Sequence, residues 1–232
     1  DKNFILIACN GIFKYLLHNG IVPDYVFVVE GRPHVVDDLD VFSPSTTLIT
    51  SPFVDPQIIK KWSGKHFTYM LGGGEKYNSE FKKDCPEPDI GGGNVISTAM
   101  LWAYKFLKCR DFIFTGLSLC YYDDYYFDGR STEHIGAINQ EQEGLYQAVD
   151  IYGNIVNTTP ALTMYKTWLE TYSRYMESRI INSTEDGILG VYPEPVKRID
   201  DDTIQMAAKY IPWITIIPLK TAIEGYKLKF KE

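Results

Sequence analysis

Apolar and polar positions in this chain fall into short blocks. Residues 4–10, "FILIACN", are continuously apolar up to an Asn-Gly step, the pattern of a strand buried on both faces. "GIFKYLLHNG" follows with Ile12, Tyr15 and Leu16 at helical spacing, and Gly20 is placed to end that helix in the left-handed conformation. "PDYVFVVEG" reads as a second strand, with Asp24 at its entry and Glu30 at its exit. "TTLITSP" (46–52) and "HFTYML" (66–71) read as two more. Between them "DPQIIKKW" predicts a helix capped by Asp55 and started by Pro56.

The longest helical pattern of this half, Asn94 to Lys108, follows three glycines and leads into the strand "DFIFTG". Val95, Ala99, Trp102 and Phe106 are its expected core face. Beyond residue 121 the pattern dissolves into a polar, aromatic loop, of a length that is commonly functional. "LYQAVDIYGNIVNT" predicts a hairpin around Tyr152-Gly153-Asn154, Pro160 begins another helix, and "IINST" returns as a strand. The tail is expected to hold a helix over "DDTIQMAAKYI", a short "WITIIP" strand and a final polar segment. Strand and helix in alternation predict an α/β fold: a Rossmann-like, mostly parallel sheet with helices on both faces, plus a β-hairpin and C-terminal helices.

Composition narrows the partners. At 232 residues and 45% hydrophobic content the expectation is a single domain over 1–232. A net charge of −7 argues against nucleic acid, whose phosphates need a dense basic face. Four cysteines without a C-x-x-C pair signal neither a zinc site nor a disulfide framework, and fit reduced thiols in a cytoplasmic protein. No apolar run approaches the ~20 residues that span a bilayer, and the N-terminus lacks signal-peptide features. Oligomerisation is left open.

In an open parallel sheet, ligands settle outside the carboxyl ends of the strands. Three segments fall there: Asn10-Gly11, Gly91-Gly92-Gly93-Asn94 and "GLSLCYYDD" from Gly116. The three glycines bare the backbone where a helix offers unpaired N–H groups, which suits either a phosphate cradle or a left-handed turn. The second triplet, Gly72 to Gly74, reads as a loop. His134, beside Glu133 and near Asp128, is either a proton-transfer group or a solvated histidine. Asp123 and Asp124 are either hard-oxygen ligands for Mg2+ or part of a solvated acidic loop. Tyr121, Tyr122, Tyr125 and Tyr126 can stack on a base, steady a phosphate or pack the loop.

"ILIACNGIFKYLLHNGIVPDYVFVVEG" together with "GGGNVISTAMLWAYKFLKCRDFIFTGLSLCYYDD" resembles the core of the MptE-like superfamily. That superfamily holds the Maf (motility-associated factor) glycosyltransferases and archaeal 6-hydroxymethyl-7,8-dihydropterin pyrophosphokinases. The same segments are similar to bacterial sialyltransferases of the Campylobacter lipooligosaccharide type. "DIYGNIVNTTPALTMYKTWLE" and "RIINSTEDGI" resemble the Maf pattern of a D-x-x-G-N hairpin, a helix and an N-x-T-E-x-G turn.

The resemblance implies one MptE-like nucleotide-binding domain that lacks the family's first strand and its G-P-S-L-like loop. It implies a transferase using a CMP-nonulosonate donor to glycosylate an acceptor hydroxyl on a glycan or protein, with no cofactor. Asn10, Gly91, Gly92, Gly93, Asn94, Gly116 and Ser118 would line the nucleotide. Tyr122 and Tyr126 would assist the departing phosphate, and His134 would be the base. Two alternatives follow from the same resemblance. One is an ATP- and Mg2+-dependent diphosphotransferase with Asp123 and Asp124 on the metal; the other is a noncatalytic nucleotide-sugar binding module. The family's G-x-D-L stands here as Gly116-Leu117-Ser118-Leu119, without the Asp.

Overall fold

The computed structural model describes residues 4–33, 35–69, 92–122, 144–198 and 204–229. The chain divides into two compact units, one running to Leu107 and one beginning at Lys108.

The N-terminal unit is built on a four-stranded parallel sheet in the order β1 (Ile7–Cys9), β2 (Tyr25–Val28), β3 (Thr47–Thr50), β4 (His66–Thr68). Helices α1 (Asn10–His18), α2 (Val35–Asp38) and α3 (Pro56–Lys61) fall between successive strands. Sequence pattern anticipates all of these except α2. Gly20 has φ +72, and the Asp55 carboxylate accepts from the Gln57 N–H to cap α3. The core gathers Phe13, Val26, Val28, Val35, Leu48, Ile58 and Trp62, all buried. Each such side chain contributes about 1.5–3 kcal/mol through loss of apolar surface to water.

Helix α4 (Val95–Phe106) packs against β1 and β2, with the Trp102 ring on Tyr25 and Phe27. Its expected core face needs correction. Ala99 and Trp102 are buried, but Val95 is half-buried and Phe106 is 44% exposed. Instead the whole run Ser97–Ala103 is buried, and the two polar residues in it are accommodated because the Ser97 and Thr98 hydroxyls bond back to the Asn94 carbonyl.

The C-terminal unit has a three-stranded parallel sheet in the order β11 (Ile214–Ile216), β8 (Arg179–Asn182), β5 (Asp111–Phe114). The expected hairpin is present as β6 (Tyr146–Val149) and β7 (Ile155–Thr158), and the Pro160 helix as α5 (Pro160–Tyr175).

One tail expectation is overturned. Ile204–Tyr210, expected as a helix, is strand β10, paired antiparallel with β9 (Val191–Arg198). Gln, Met, Ala and Lys favour helix, but the same residues fit a period of two, and cross-strand pairing decides between the periods. Pro193 and Pro195 hide β9 from sequence reading. In a two-stranded ribbon alternate N–H groups point outward, so prolines two residues apart can fall on the unpaired side. The final polar segment forms a C-terminal helix, α6 (Leu219–Lys229), which buries Ala222.

Candidate functional site

Asn10 lies at the carboxyl end of β1 and is the first residue of α1. It is 6% exposed, and its Nδ2 donates to the Asp38 carboxylate at 2.6 Å across the buried start of the unit. Asp38, on the helix that the sequence did not announce, is itself buried. Cys9 precedes α1 in extended conformation without a capping side-chain bond, and the first turn carries no acid. The opening N–H groups of α1 are therefore not covered by their own cap, the arrangement in which a helix accepts an anion or a polar ligand atom.

At α4 the situation is reversed. Gly93 is exposed with φ +85, a left-handed turn residue, and Gly92 is buried. Asn94 is the N-cap, its Oδ1 accepting from the Ser97 N–H at 2.8 Å. The acceptor end of this amide is engaged within the helix, so a ligand would meet its Nδ2 donor. Gly91 lies outside the described residues.

In the C-terminal unit the loop after β5 is stitched to the loop after β8. Gly116 turns with φ +66, and the Leu117 N–H donates to Thr184 Oγ1. Ser118 Oγ donates to Asp186 at 2.7 Å, and its carbonyl accepts from the Ile188 N–H. Gly187, at φ +82, must be glycine: a Cβ there would sit 2.3 Å from the Ser118 carbonyl oxygen. The Gly187 N–H donates to the Tyr122 hydroxyl at 2.9 Å. The Tyr122 phenol, 38% exposed, thus has an acceptor lone pair occupied. Burial pushes the Tyr122 phenol up, and pushes the Cys120 thiol to about 12, so both stay protonated at neutral pH.

The two Maf-like motifs organise this corner. Asp150 accepts from the Tyr152 N–H, the Asn154 N–H and Asn154 Nδ2, which shapes the D-x-x-G-N turn. Asn182 donates to the Leu189 carbonyl and accepts from the Thr184 N–H, which shapes the turn after β8. Behind them Glu170 on α5, 1% exposed, takes Lys166 Nζ at 2.9 Å, the Gly190 N–H and the Tyr192 hydroxyl. Burial pushes the Lys166 ammonium down, and Glu170 opposes that push.

Of the predicted site residues, Asn10, Gly92, Gly93 and Asn94 belong to the N-terminal unit and Gly116, Ser118 and Tyr122 to the C-terminal one. Tyr126, His134, Asp123 and Asp124 lie outside the described residues. Among the described residues no group of three His, Cys, Asp or Glu is placed to hold a metal ion. No described helix is long and apolar enough to cross a membrane. Asp38, Asp186 and Glu170 escape sequence reasoning. Asp38 is 28 residues from Asn10, Asp186 is 68 from Ser118, and no spacing rule links such pairs. Glu170 carried one signal, its four-residue offset from Lys166, which reads equally well as an exposed pair.

Parallel strands with intervening helices define the Rossmann-like α/β class. Within it, the model of the 6-hydroxymethylpterin diphosphokinase MptE-like family matches residues 1–124, and the chain belongs to that family. No curated protein matches the sequence. Among solved structures, the chain is similar to a Maf glycosyltransferase from Magnetospirillum magneticum AMB-1, with a TM-score of 0.64 at 15% identity. The match covers 97% of this chain and 32% of that one, so the chain spans about a third of its length. At that identity the likeness establishes the fold.

Proposed function

We propose that this chain is the nucleotide-binding part of a glycosyltransferase that uses a CMP-linked nonulosonate donor and delivers the sugar to an acceptor hydroxyl. The observation that carries this is the likeness to the Maf glycosyltransferase over 97% of the chain, beyond the 1–124 family match and through both Maf-like turns. The uncapped start of α1, with Asn10, and the Gly92–Asn94 turn supply the N-terminal unit's backbone and amide contacts to nucleotide. Tyr122 is proposed to stabilise negative charge developing on a leaving phosphate. Tyr126 is proposed for the same task and His134 for removing the acceptor's proton, which typically adds 10²–10⁴-fold. Gly116 and Ser118 serve mainly to hold the loop that carries Tyr122.

The family description over residues 1–124 favours a second reading, diphosphate transfer from ATP to a pterin alcohol. There Mg2+ would neutralise phosphate charge, with Asp123 and Asp124 as its proposed ligands.

Thermal-shift titration with CMP, CDP, GDP and ATP, with and without Mg2+, separates these. Stabilisation by CMP without metal supports sugar transfer, and stabilisation only by ATP with Mg2+ supports diphosphate transfer. Release of CMP from a CMP-sugar then distinguishes an enzyme from a binding module. No shift with any nucleotide would contradict both transferase readings.

A further inference from the structure

The contact between Asn10 and Asp38 fixes the polarity of the Asn10 amide. A carboxylate can only accept, so the amide atom 2.6 Å from Asp38 Oδ2 is the nitrogen. Both residues are buried, at 6% and 8% exposure, which makes turning the amide costly: it would set two acceptors against each other out of water. The Asn10 Oδ1 is left without a hydrogen-bond partner among the described residues, at the carboxyl end of β1.

From this geometry we infer that Asp38 is a positioning residue that turns Asn10 into a dedicated acceptor, reading a hydrogen-bond donor of the nucleoside rather than its phosphate. Phosphate oxygens only accept, so they cannot bond to Oδ1. The groups that can are a ribose hydroxyl or an exocyclic base amine. Asn94 has the opposite polarity, because its Oδ1 is engaged on Ser97 and its Nδ2 remains to donate. One amide therefore suits a nucleoside donor and the other an anion. This inference rests on the nucleotide reading of the same unit.

Isothermal titration with CMP, UMP, 2′,3′-dideoxy-CMP and inorganic pyrophosphate tests it. UMP lacks the base amine and dideoxy-CMP the ribose hydroxyls. Wild-type protein is expected to prefer CMP over one of these two analogues by about tenfold, the worth of one well-placed hydrogen bond. The analogue affected names the group read. Asp38→Asn frees the Asn10 amide to turn and should bring that ratio to about twofold or less while pyrophosphate binding is little changed. The exchanged pair Asn10→Asp with Asp38→Asn keeps a hydrogen bond between the two and an oxygen facing outward, and should restore the ratio.

An unchanged ratio in Asp38→Asn, or an equal loss for every ligand including pyrophosphate, would overturn the inference. So would wild-type protein that binds all three nucleotides equally, a result that needs no variant and leaves the nucleotide reading standing. Wild-type protein that binds no nucleotide would overturn both together.

Discussion

The N-terminal unit is held by apolar packing of one parallel sheet, whereas the C-terminal unit is tied together by buried polar side chains. In the first, Phe13, Val26, Val28 and Leu48 are fully buried, and the buried polar side chains make separate links such as Asn10 to Asp38, Ser51 to the Val29 carbonyl and Thr46 to the Pro23 carbonyl. In the second, buried Asp150, Glu170 and Asn182 and half-buried Asp186 each fix a turn or a strand end. Apolar packing tolerates substitution that preserves volume, while a buried polar junction depends on every partner being present. The difference predicts that single polar substitutions are far more damaging after Lys108 than before it.

The largest effect is expected at Glu170. Replacing it by Ala strands the buried Lys166 ammonium and leaves the Gly190 N–H and Tyr192 hydroxyl without their acceptor. Breaking one side of a buried ion pair costs roughly 3–5 kcal/mol, to be read from urea unfolding of the C-terminal unit. The double variant Lys166→Met with Glu170→Leu should recover part of that loss, since it removes the uncompensated charge. Equal stability of Glu170→Ala and wild type would remove the contrast between the units.

Gly187→Ala comes next. The new Cβ meets the Ser118 carbonyl at 2.3 Å in a left-handed backbone, so the β5 and β8 loops must separate. A loss of more than about 1 kcal/mol is expected, with Tyr122 fluorescence changing as its hydroxyl loses the Gly187 N–H. Alkaline pH should probe the same corner. Burial raises the Cys120 thiol to about 12 from an ordinary value of 9.0, so the folded state holds its proton more tightly than the unfolded chain. That stabilisation is complete below pH 9 and drains as pH rises toward 12. A Cys120→Ala variant should show a shallower alkaline decline in thermal midpoint than wild type.

Asn94→Ala removes a helix cap in the N-terminal unit and should cost about 1 kcal/mol. Asn94→Ser keeps a capping oxygen but no amide donor. It should retain stability while weakening pyrophosphate binding, whereas retention of both would leave Asn94 a cap alone. The smallest effect is expected at Ser183, whose buried hydroxyl has no hydrogen-bond partner among the described residues. Ser183→Ala should be neutral or stabilising by up to about 1 kcal/mol, because an unpaired polar group is lost without a partner being orphaned. A loss comparable to that of Gly187→Ala would contradict this expectation.

The same contrast explains what the sequence made legible. Continuous apolar runs and an Asp-Pro helix start are local signals, and they locate β1 to β4 and α3 within a few residues. Helix α2 is four residues long, too short to establish a period, and with it the partner of Asn10 goes unseen. Strand β9 is masked by its prolines, and β10 by residues that favour helix, because the deciding interaction is their mutual pairing. The Maf-like turns were recognisable as patterns, but their physical content was not. Nothing in "DIYGN" says that one carboxylate gathers three donors. At the candidate site, Asn10 and the glycine turn were visible as strand-end and helix-start residues. The polarity of the Asn10 and Asn94 amides was not, since it depends on contacts 28 and three residues away.

Nucleotide binding at the strand ends of the N-terminal unit can be followed by titrating CMP into 15N-labelled protein and recording the backbone amide resonances. Saturable shifts are expected, centred on Asn10, Gly11 and Gly92 to Asn94, with the core of β2 and β3 unmoved. Saturable binding that shifts none of those amides, or no binding at millimolar CMP, would contradict it.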